Sequence, residues 1–575
     1  MIAPGLYALG SFAGEPIEPA DCQILGLDPA NESFAGTARD FPGTHWTIDR
    51  FEDAANVLIF LGVLHDAAKL AVELGRAEAG PAELALAALL RWGVDGRAKM
   101  PGEWSLLHWD KRDKRLHVAT SYRLRDRVLI AQAGSRFAVA PNLTALSRLS
   151  WIDDAIDPTG LAFELSPQRF RLGHEGYTVL RQVRQVEAGQ CITLDAAGKH
   201  IARRAPLQAI PWQGSFEEGV AAATDALRGI IRRAMAPYHR IGVTLSGGLD
   251  SALVAAIAVE ELRSDQTLTA FTSVAPPGTG LIDERAWTQQ TANHLGIELV
   301  PVWPSDTCAI YRPARHHLEN GPTKSVRHYL YDAIYGAAQE RGVQMMLDGE
   351  YGESALSRSP YFDTPLNRAR RAVRGFRDSL RPGSAEPARR FMVQFAPEFV
   401  ASLPAPLRAP VPPMPTDWVS RSRPMRFSRG QAGFGVFPTA DTGVSIRRAT
   451  PCLGDVELLR LVAGMPASFL RRDGYNRALI RGMLNGKVPE ETRLRTEKRA
   501  FSPDYDQRLT REAPSLTSSI DAWRAANVQD FLDARWIARN VDAMAAGNLR
   551  PAHIRGAFHM TAMAAEFLLW WSRQR

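Results

Sequence analysis

The chain has 575 residues, of which 45% are hydrophobic and 23% charged, so it is long enough for roughly two to four globular domains. Its net charge of +7 is a small surplus that an anionic substrate explains as well as a nucleic acid, and we expect neither a nucleic-acid nor a membrane partner. Four scattered cysteines, the lack of a signal-peptide pattern and the absence of any long apolar run predict a cytoplasmic protein.

The first part of the chain, up to about residue 205, predicts short strands and one clear helix. Apolar runs predict a strand at 56–64 and a strand pair over 103–122, whose charged turn falls at 111–114. Residues 80–93 begin with Gly-Pro, continue with helix formers and end with Gly, which predicts a helix. A linker that contains proline follows, and we place a domain boundary between residues 208 and 209.

Strands and helices alternate in the next part of the chain, which predicts a parallel α/β sheet. The predicted helices cover residues 215–235, 283–296 and 328–342, and the predicted strands cover 241–245, 267–275, 297–303 and 343–349. Beyond about residue 365 the sequence predicts helices, interrupted by a proline-rich stretch at 402–418.

The sequence SGGLDS, residues 246–251, separates a predicted strand from a segment of helix formers. Ligands of open α/β sheets bind beyond the carboxyl ends of the strands, glycines allow close approach of the backbone, and the first N–H groups of a helix favour anions. This turn therefore predicts a phosphate-binding site. It is not a Walker A loop, because the Gly-Lys-Ser/Thr ending is absent.

The SGGxDS pattern after an apolar strand resembles the PP-loop of ATP pyrophosphatases, and other segments resemble the asparagine synthetase family. The sequence LDGEYGES at 347–354 resembles the SGEGSDE loop of that family. Residues 447–504 resemble its C-terminal signature, which ends in a lysine, here Lys498, shortly before Phe501 and Ser502. Residues 60–70 and 88–121 resemble its glutaminase domain.

The resemblance implies an α/β protein with two domains. Residues 1–208 are expected to form an Ntn-hydrolase-like αββα domain, related to class II glutamine amidotransferases. Residues 209–575 are expected to form a PP-loop synthetase domain, like adenine nucleotide α-hydrolases, with a parallel sheet and a helical C-terminal part.

The N-terminal domain departs from the family at the residues that hydrolyse glutamine. Ile2 replaces the cysteine nucleophile, Asp66 replaces an asparagine of the glutamine pocket, and Glu103-Trp104 replace a Gly-Asp pair beside Gly102. We therefore expect a degenerate domain that does not hydrolyse glutamine.

Family members without the nucleophile form amides within one substrate, as β-lactam synthetases and lasso peptide macrolactam cyclases do. Where β-lactam synthetases carry one tyrosine of a Tyr–Glu pair, this chain carries Glu350, which favours a bacterial lasso peptide cyclase. Such an enzyme uses ATP to adenylate an Asp or Glu side chain of a precursor peptide, whose N-terminal amine then displaces AMP. The resemblance also implies a maturation partner that binds or cleaves the leader. A synthetase acting on a small molecule and a non-catalytic scaffold remain alternatives.

Site residues follow from the matched motifs. Lys498 is assigned to the phosphorus and the leaving pyrophosphate, and Glu350 to the attacking amine. Mg²⁺ is assigned to Asp250 and Glu353, although Glu353 is longer than the family aspartate and Ser354 replaces the next acid. Arg495 and Arg499 are candidates for further phosphate contacts. ATP binding is assigned to Leu245, Ser246, Gly247, Gly248, Leu249, Asp250, Ser251, Ser273, Asp348 and Gly349. A helix N-cap for Asp250 and a solvated charge for Lys498 are the simpler alternatives.

Overall fold

The computed structural model describes residues 5–28, 33–39, 46–122, 127–165, 176–198, 201–204, 209–305, 309–312, 321–322, 327–352, 356, 393–408, 436–438, 445–448, 452–497, 499–549 and 552–575. Every structural statement below concerns these residues. Ile2, Glu353, Ser354 and Lys498 lie outside them.

The N-terminal part, residues 5–204, contains two antiparallel sheets among its described residues. The first has five strands in the order β2-β1-β8-β7-β9, and the second has six in the order β11-β10-β6-β5-β4-β3. The strands are β1 (Gly5–Ser11), β2 (Phe34–Arg39), β3 (Thr47–Glu52), β4 (Asn56–Leu64), β5 (Gly102–Asp110), β6 (Arg115–Thr120), β7 (Leu129–Ala133), β8 (Arg136–Ala140), β9 (Val183–Gln185), β10 (Gln190–Leu194) and β11 (Ile201–Arg204). Phe34 of one sheet stacks on Trp109 of the other with ring centroids 5.4 Å apart, so the sheets pack face to face.

Helices cover the outer faces of these two sheets. They are α1 (Pro19–Leu25), α2 (Ala67–Leu74), α3 (Pro81–Trp92), α4 (Leu143–Leu146) and α5 (Pro158–Glu164). α2 and α3 bury Leu70 and Ala85 against Leu58 and Phe60 of the second sheet. The predicted strand at 56–64, the strand pair and the helix at 80–93 are confirmed. The sequence predicted one clear helix here, which is wrong, since the described residues also include α1, α2, α4 and α5. These helices were missed because each is too short to show a clear helical period.

The C-terminal part, residues 209–575, contains a mixed sheet of six strands in the order β14-β13-β12-β15-β17-β16. Its strands are β12 (Arg240–Thr244), β13 (Thr267–Ser273), β14 (Glu298–Val302), β15 (Met345–Leu347), β16 (Val436–Pro438) and β17 (Ser445–Arg448). All are parallel except β16, which pairs antiparallel with β17. The predicted parallel α/β sheet is confirmed, whereas β16 and β17 correct the prediction of helices beyond residue 365.

Helices flank this sheet, and more of them follow it. The first are α6 (Phe216–Met235), α7 (Leu249–Glu260), α8 (Arg285–Leu295) and α9 (His328–Glu340). The later ones are α10 (Pro397–Ser402), α11 (Ala405–Arg408), α12 (Val456–Gly464), α13 (Ala478–Met483), α14 (Glu490–Leu494), α15 (Tyr505–Glu512), α16 (Thr517–Ala525), α17 (Ala534–Ala545) and α18 (Ala552–Ser572), with a small hairpin of β18 (Arg471–Arg472) and β19 (Tyr475–Asn476). None of the helices in the described ranges has the length and apolarity needed to cross a membrane.

The end of α18 contacts the N-terminal part. Trp571 Nε1 donates a hydrogen bond to the Asp154 carbonyl at 3.1 Å, and Arg575 pairs with the Asp154 carboxylate at 3.0 Å. One hydrophobic cluster includes Leu161 of the N-terminal part together with Phe567 and Trp571 of α18. The domain boundary at 208/209 stays a prediction, because residues 205–208 lie outside the described residues.

Candidate active site

The SGGLDS turn connects the carboxyl end of β12 to the start of α7. Gly248 is the N-cap residue of α7, and as a glycine it has no side chain with which to cap the helix. Gly247 has a φ of +71°, a backbone conformation that favours glycine. The first N–H groups of α7 therefore lie at the carboxyl edge of the sheet, as a phosphate-binding turn requires.

The two serines of the turn hold its shape. Ser251 Oγ donates to the Gly248 carbonyl at 3.1 Å, so it accepts hydrogen bonds from the Ser246 N–H and Ser246 Oγ, each at 3.0 Å. Ser251 is buried. These contacts close the turn onto itself, and the assigned contacts of both serines with ATP stay predictions.

The loop that follows β15, residues 348–352, packs directly on this turn. A Cβ atom on Gly349 would lie 2.6 Å from the Ser251 nitrogen and 2.8 Å from the Asp250 carbonyl carbon. A Cβ atom on Gly352 would overlap the Asp250 carboxylate. Because only glycine fits at such distances, the sequence of this loop allows the two segments to touch.

The acidic residues of the loop have defined partners. Asp348 Oδ1 accepts the Glu350 N–H at 2.9 Å, and Asp348 is 6% exposed, so its carboxylate helps to shape the loop. Tyr331, near the start of α9, donates its hydroxyl to Glu350 Oε1 at 3.4 Å. Tyr331 is absent from the predicted site, because a single tyrosine in a helix carries no motif.

Asp250 forms an ion pair with Arg477, which precedes α13. The two side chains are only 12% and 14% exposed, and Arg477 has a φ of +59°. The sequence prediction did not include Arg477, since it lies 227 residues from its partner.

The metal site was assigned to Asp250 and Glu353, and Glu353 lies outside the described residues. Within the described ranges, no three or more His, Cys, Asp or Glu side chains form a group that could hold a metal ion. Mg²⁺ is usually bound by one or two carboxylates together with substrate phosphates, so the Asp250 carboxylate could hold Mg²⁺ only together with phosphate oxygens or other ligands, and its assignment stays a prediction.

Arg495 and Arg499 also approach the turn. Arg495 Nη1 donates to the Gly247 carbonyl at 3.1 Å, and the Arg495 guanidinium pairs with the Glu284 carboxylate. The Arg499 N–H donates to Glu284 Oε1 at 2.7 Å. Glu284, which sequence reasoning missed, thus contacts both residues, whereas Lys498 between them lies outside the described residues.

Two residues assigned to ATP binding, Leu245 and Ser273, lie at the ends of two neighbouring strands. The Leu245 N–H donates to the Phe271 carbonyl at 2.8 Å, and Leu245 is fully buried. Ser273 ends β13, and its buried hydroxyl has no hydrogen-bond partner in the part of the chain that the structure describes. Leu245 and Ser273 thus lie beside the turn, while their contact with ATP stays a prediction.

The sequence profile of the asparagine synthase family matches residues 222–422 and 439–571. The chain belongs to the asparagine synthase family. Both segments of the candidate site, 246–251 and 348–352, fall within the match, as do Glu284, Arg477 and Arg495. The whole N-terminal part precedes the match, so family membership rests on the C-terminal part.

Individual relatives of this asparagine synthase family member are distant. Asparagine synthetase [glutamine-hydrolyzing] 3 of Bacillus subtilis (strain 168) is 25% identical over 190 residues, which are 32% of this chain and 30% of that protein. The chain therefore matches less than a third of the length of that relative.

Two solved structures are also similar to this chain. Glutamine phosphoribosylpyrophosphate (PRPP) amidotransferase from B. subtilis, complexed with ADP and GMP, has 12% identity and a TM-score of 0.23 and covers 60% of this chain and 75% of its own. The structure described as the allosteric regulatory enzyme of purine biosynthesis has 12% identity and a TM-score of 0.22, and the similar region covers 66% of this chain and 73% of that chain.

Proposed function

We propose that the chain is an ATP-dependent ligase that forms an amide bond by adenylating a carboxylate. Membership of the asparagine synthase family supports this reaction class. The observation that carries the proposal is the packing of residues 348–352 on the SGGLDS turn, with Gly349 against Ser251 and Gly352 against Asp250. Glu350 is thereby held at the same edge of the sheet as the predicted phosphate site.

The proposed substrate is a precursor peptide, closed into a ring as in lasso peptide biosynthesis. An Asp or Glu carboxylate oxygen of the peptide attacks the α-phosphorus of ATP, and the bond to pyrophosphate breaks. The N-terminal amine of the peptide then attacks the acyl carbon, AMP leaves, and one amine proton passes to Glu350. The proposed role of Lys498 is to stabilise negative charge on the phosphorus and on pyrophosphate.

Mg²⁺ is part of the proposal. When bound with ATP it would neutralise charge on the triphosphate, with Asp250 and Glu353 as its proposed carboxylate ligands. Arg477 is the described group that pairs with Asp250, so it competes with any cation for this carboxylate.

The N-terminal part is proposed to be a degenerate glutaminase-like domain, so that the amine comes from the peptide itself. Trp104, at the position of a family acid, is 2% exposed, and its Nε1 donates to the Met100 carbonyl at 3.0 Å. Its ring lies within the apolar cluster that includes Phe60. A glutamine pocket needs polar groups at this place, and the buried indole does not supply them.

A second candidate is an amide synthetase that acts on a small molecule, in the manner of β-lactam synthetases. The hydrogen bond between Tyr331 and Glu350 favours it, since it supplies a Tyr–Glu pair like the one expected in those enzymes. A partner that binds or cleaves the leader peptide belongs to the first proposal only, whereas a cytoplasmic location is proposed for both candidates.

The test is ATP–pyrophosphate exchange with the whole chain, Mg²⁺ and candidate precursor peptides encoded nearby, beside mass spectrometry of the peptide. We expect exchange that depends on the peptide, and a product lighter by one water. An acetylated N-terminus should preserve exchange but prevent ring closure, and replacing the acceptor Asp or Glu by its amide should prevent both. Exchange that occurs with small amino acids but not with peptides would favour the second candidate. If no substrate supports exchange, the remaining interpretation is a non-catalytic scaffold.

A further inference from the structure

A buried carboxylate, Glu284, fixes both described ends of segment 495–499. Arg495 Nη2 donates to Glu284 Oε1 at 2.8 Å, and Arg495 Nη1 contacts the other carboxylate oxygen, so the pair is bidentate. The Arg499 N–H donates to Glu284 Oε1 at 2.7 Å. The side chains of Glu284 and Arg495 are 3% and 10% exposed, so solvent does not weaken the pair.

Glu284 is charged in the folded protein. Burial alone would raise the pKa of its carboxyl group, but the hydrogen bonds from Arg495 and from the Arg499 N–H hold that pKa below its ordinary value. The contact is therefore an ion pair and not a neutral hydrogen bond.

The guanidinium of Arg495 also stacks on an aromatic ring. Its central carbon lies 4.5 Å from the centroid of the Trp287 ring, and Trp287 belongs to α8, which starts directly after Glu284. A planar guanidinium that stacks on an aromatic ring and pairs with a carboxylate has little freedom left. The direction in which its remaining N–H groups point is thus set by α8.

One of these N–H groups reaches the phosphate-binding turn. Arg495 Nη1 donates to the Gly247 carbonyl at 3.1 Å. A Cβ atom on Gly247 would lie 2.6 Å from Glu284 Oε2, so a side chain there would collide with the pair. The pair and the turn consequently fit together only because residue 247 is glycine.

The contact with Gly247 fixes the orientation of one peptide group. In a planar trans peptide the C=O of Gly247 and the N–H of Gly248 point in opposite directions. Since Arg495 holds the carbonyl on its own side, the Gly248 N–H points away from Arg495. Gly248 is the N-cap of α7, so its N–H lies beside the first N–H groups of that helix.

We propose that Glu284 and Arg495 are positioning residues that lock the Gly247–Gly248 peptide in the orientation required to bind the β- and γ-phosphates of a nucleoside triphosphate. The inference rests on the proposed function, because it takes the SGGLDS turn as the phosphate site. It adds that a carboxylate directly before α8, together with the two serines, fixes the shape of this turn.

The test compares two nucleotides that differ in these phosphates, α,β-methylene-ATP and AMP, by calorimetric titration of the whole chain. Glu284→Gln removes the charge that holds Arg495, and we expect its affinity for α,β-methylene-ATP to fall at least about tenfold, as for the loss of one charge-assisted hydrogen bond. Affinity for AMP should change less than about twofold, because AMP lacks the groups that the turn would bind.

Two further variants complete the design. Arg495→Lys keeps the positive charge but loses the planar fork that bonds Glu284 and Gly247 together, so it should show the same selective loss, and it decides the question if Glu284→Gln does not fold. Glu490→Gln is the matched control. It breaks the exposed Glu490–Arg493 pair just before the segment, and it should leave both affinities unchanged.

Each result supports or overturns either the positioning role of Glu284 and Arg495 or the proposed function. Unchanged affinity for α,β-methylene-ATP in Glu284→Gln and Arg495→Lys overturns the proposed positioning role, and so does an equal loss for both nucleotides, which would indicate general damage. If the unaltered chain binds no α,β-methylene-ATP, the proposed function itself fails. A selective loss in both variants, with the control unaffected, supports the role.

Discussion

At the scale of single residues, the Asp250–Arg477 pair links the SGGLDS turn to the segment before α13. Removing one partner of a mostly buried pair leaves the other charge uncompensated. We expect Asp250→Asn and Arg477→Gln each to lower the free energy of unfolding by about 2–4 kcal/mol, and Asp250→Asn also to abolish product formation. Urea unfolding of the double variant tests the pairing. Its loss should be smaller than the sum of the single losses, and strictly additive losses would show that the two charges do not interact.

The roles proposed for Lys498 and Glu350 separate two chemical steps. Lys498→Ala removes a charge contact at the phosphorus, so AMP and cyclised product should fall together, by about a hundred- to a thousandfold. Glu350→Gln leaves adenylation possible but slows loss of the amine proton, so AMP should appear by hydrolysis while ring closure slows. AMP release and peptide mass, measured side by side, check this division. If Glu350→Gln blocks AMP formation as completely as Asp250→Asn does, Glu350 belongs with the ATP-binding residues instead.

The site residues that the sequence predicted form a local motif, whereas the residues that it missed act through partners far away in the chain. The turn at 246–251 is local, and its glycines, aspartate and serines stand side by side in the chain. Arg477 and Glu284 act through partners 227 and 211 residues away. Arg477 lies within the family-like segment 447–504, but nothing in the sequence links either residue to its partner. A single sequence predicts the residues that form a local turn, but not the distant charges that hold it in place.

At the scale of elements, the packing of the 348–352 loop on the turn before α7 depends on Gly349. In Gly349→Ala the new Cβ would meet backbone atoms of residues 250 and 251, which cannot move without distorting the turn. We expect exchange activity to fall by more than about tenfold, since even small misplacement of reacting groups is costly. Gly336→Ala, in α9, is the control. Among the described residues, a Cβ there meets no atom within 4 Å, and alanine favours the helix, so activity and stability should be kept. Equal activity of both variants would contradict close contact of the two segments.

Helix α18 carries a buried histidine that makes the stability of the protein depend on pH. His559 is fully buried, its Nε2–H donates to the Ile310 carbonyl at 3.0 Å, and its Nδ1 accepts from Tyr505 at 2.9 Å. Burial lowers the pKa of His559 from 6.5 to about 4, although the bond to Ile310 opposes this. The unfolded chain therefore binds this proton at a higher pH than the folded chain, so stability present above about pH 6.5 is lost as the pH falls toward 4.

Between pH 7 and pH 4.5, this histidine should cost the unaltered chain about 2–3 kcal/mol of unfolding free energy. His559→Gln can keep both hydrogen bonds without titrating. The loss of unfolding free energy between pH 7 and pH 4.5 should therefore be about 2–3 kcal/mol smaller in this variant than in the unaltered chain. Urea unfolding at the two pH values measures the difference. His294→Gln, at an exposed position of α8, is the control and should behave like the unaltered chain.

The elements that the sequence predicted are those with a clear period or punctuation. The capping box of Ser215 and Glu218 marks the start of α6, and the apolar runs mark β12, β13 and β15. β16 and β17 have 3 and 4 residues, and α4 has 4. β15 is equally short, but it lies in the apolar run at 343–349, whereas no such run or helix punctuation was found at β16, β17 or α4. These short elements form because the rest of the fold supplies their partners.

At the scale of the whole molecule, the C-terminal part buries apolar surface against the N-terminal part. Trp571 and Phe567 of α18 share a hydrophobic cluster with Leu161, and the Trp571 indole donates to the Asp154 carbonyl. If the N-terminal part has lost its own chemistry, this contact gives a physical reason for its retention. Without it, the end of α18 would expose large aromatic side chains to water.

We therefore expect residues 209–575, produced alone, to be less stable than the whole chain, although they include the complete family match. The melting temperature should fall by at least about 5 °C, because a loss of 1 kcal/mol already shifts it by about 2–4 °C in domains of intermediate size. Binding of an apolar dye should rise as the cluster around Trp571 becomes exposed. Residues 1–208 added in trans should restore part of the stability. This control distinguishes instability caused by the lost interface from instability caused by cutting the chain at an unsuitable residue. A fragment that melts at the temperature of the whole chain and binds no dye would show that the two parts are energetically independent.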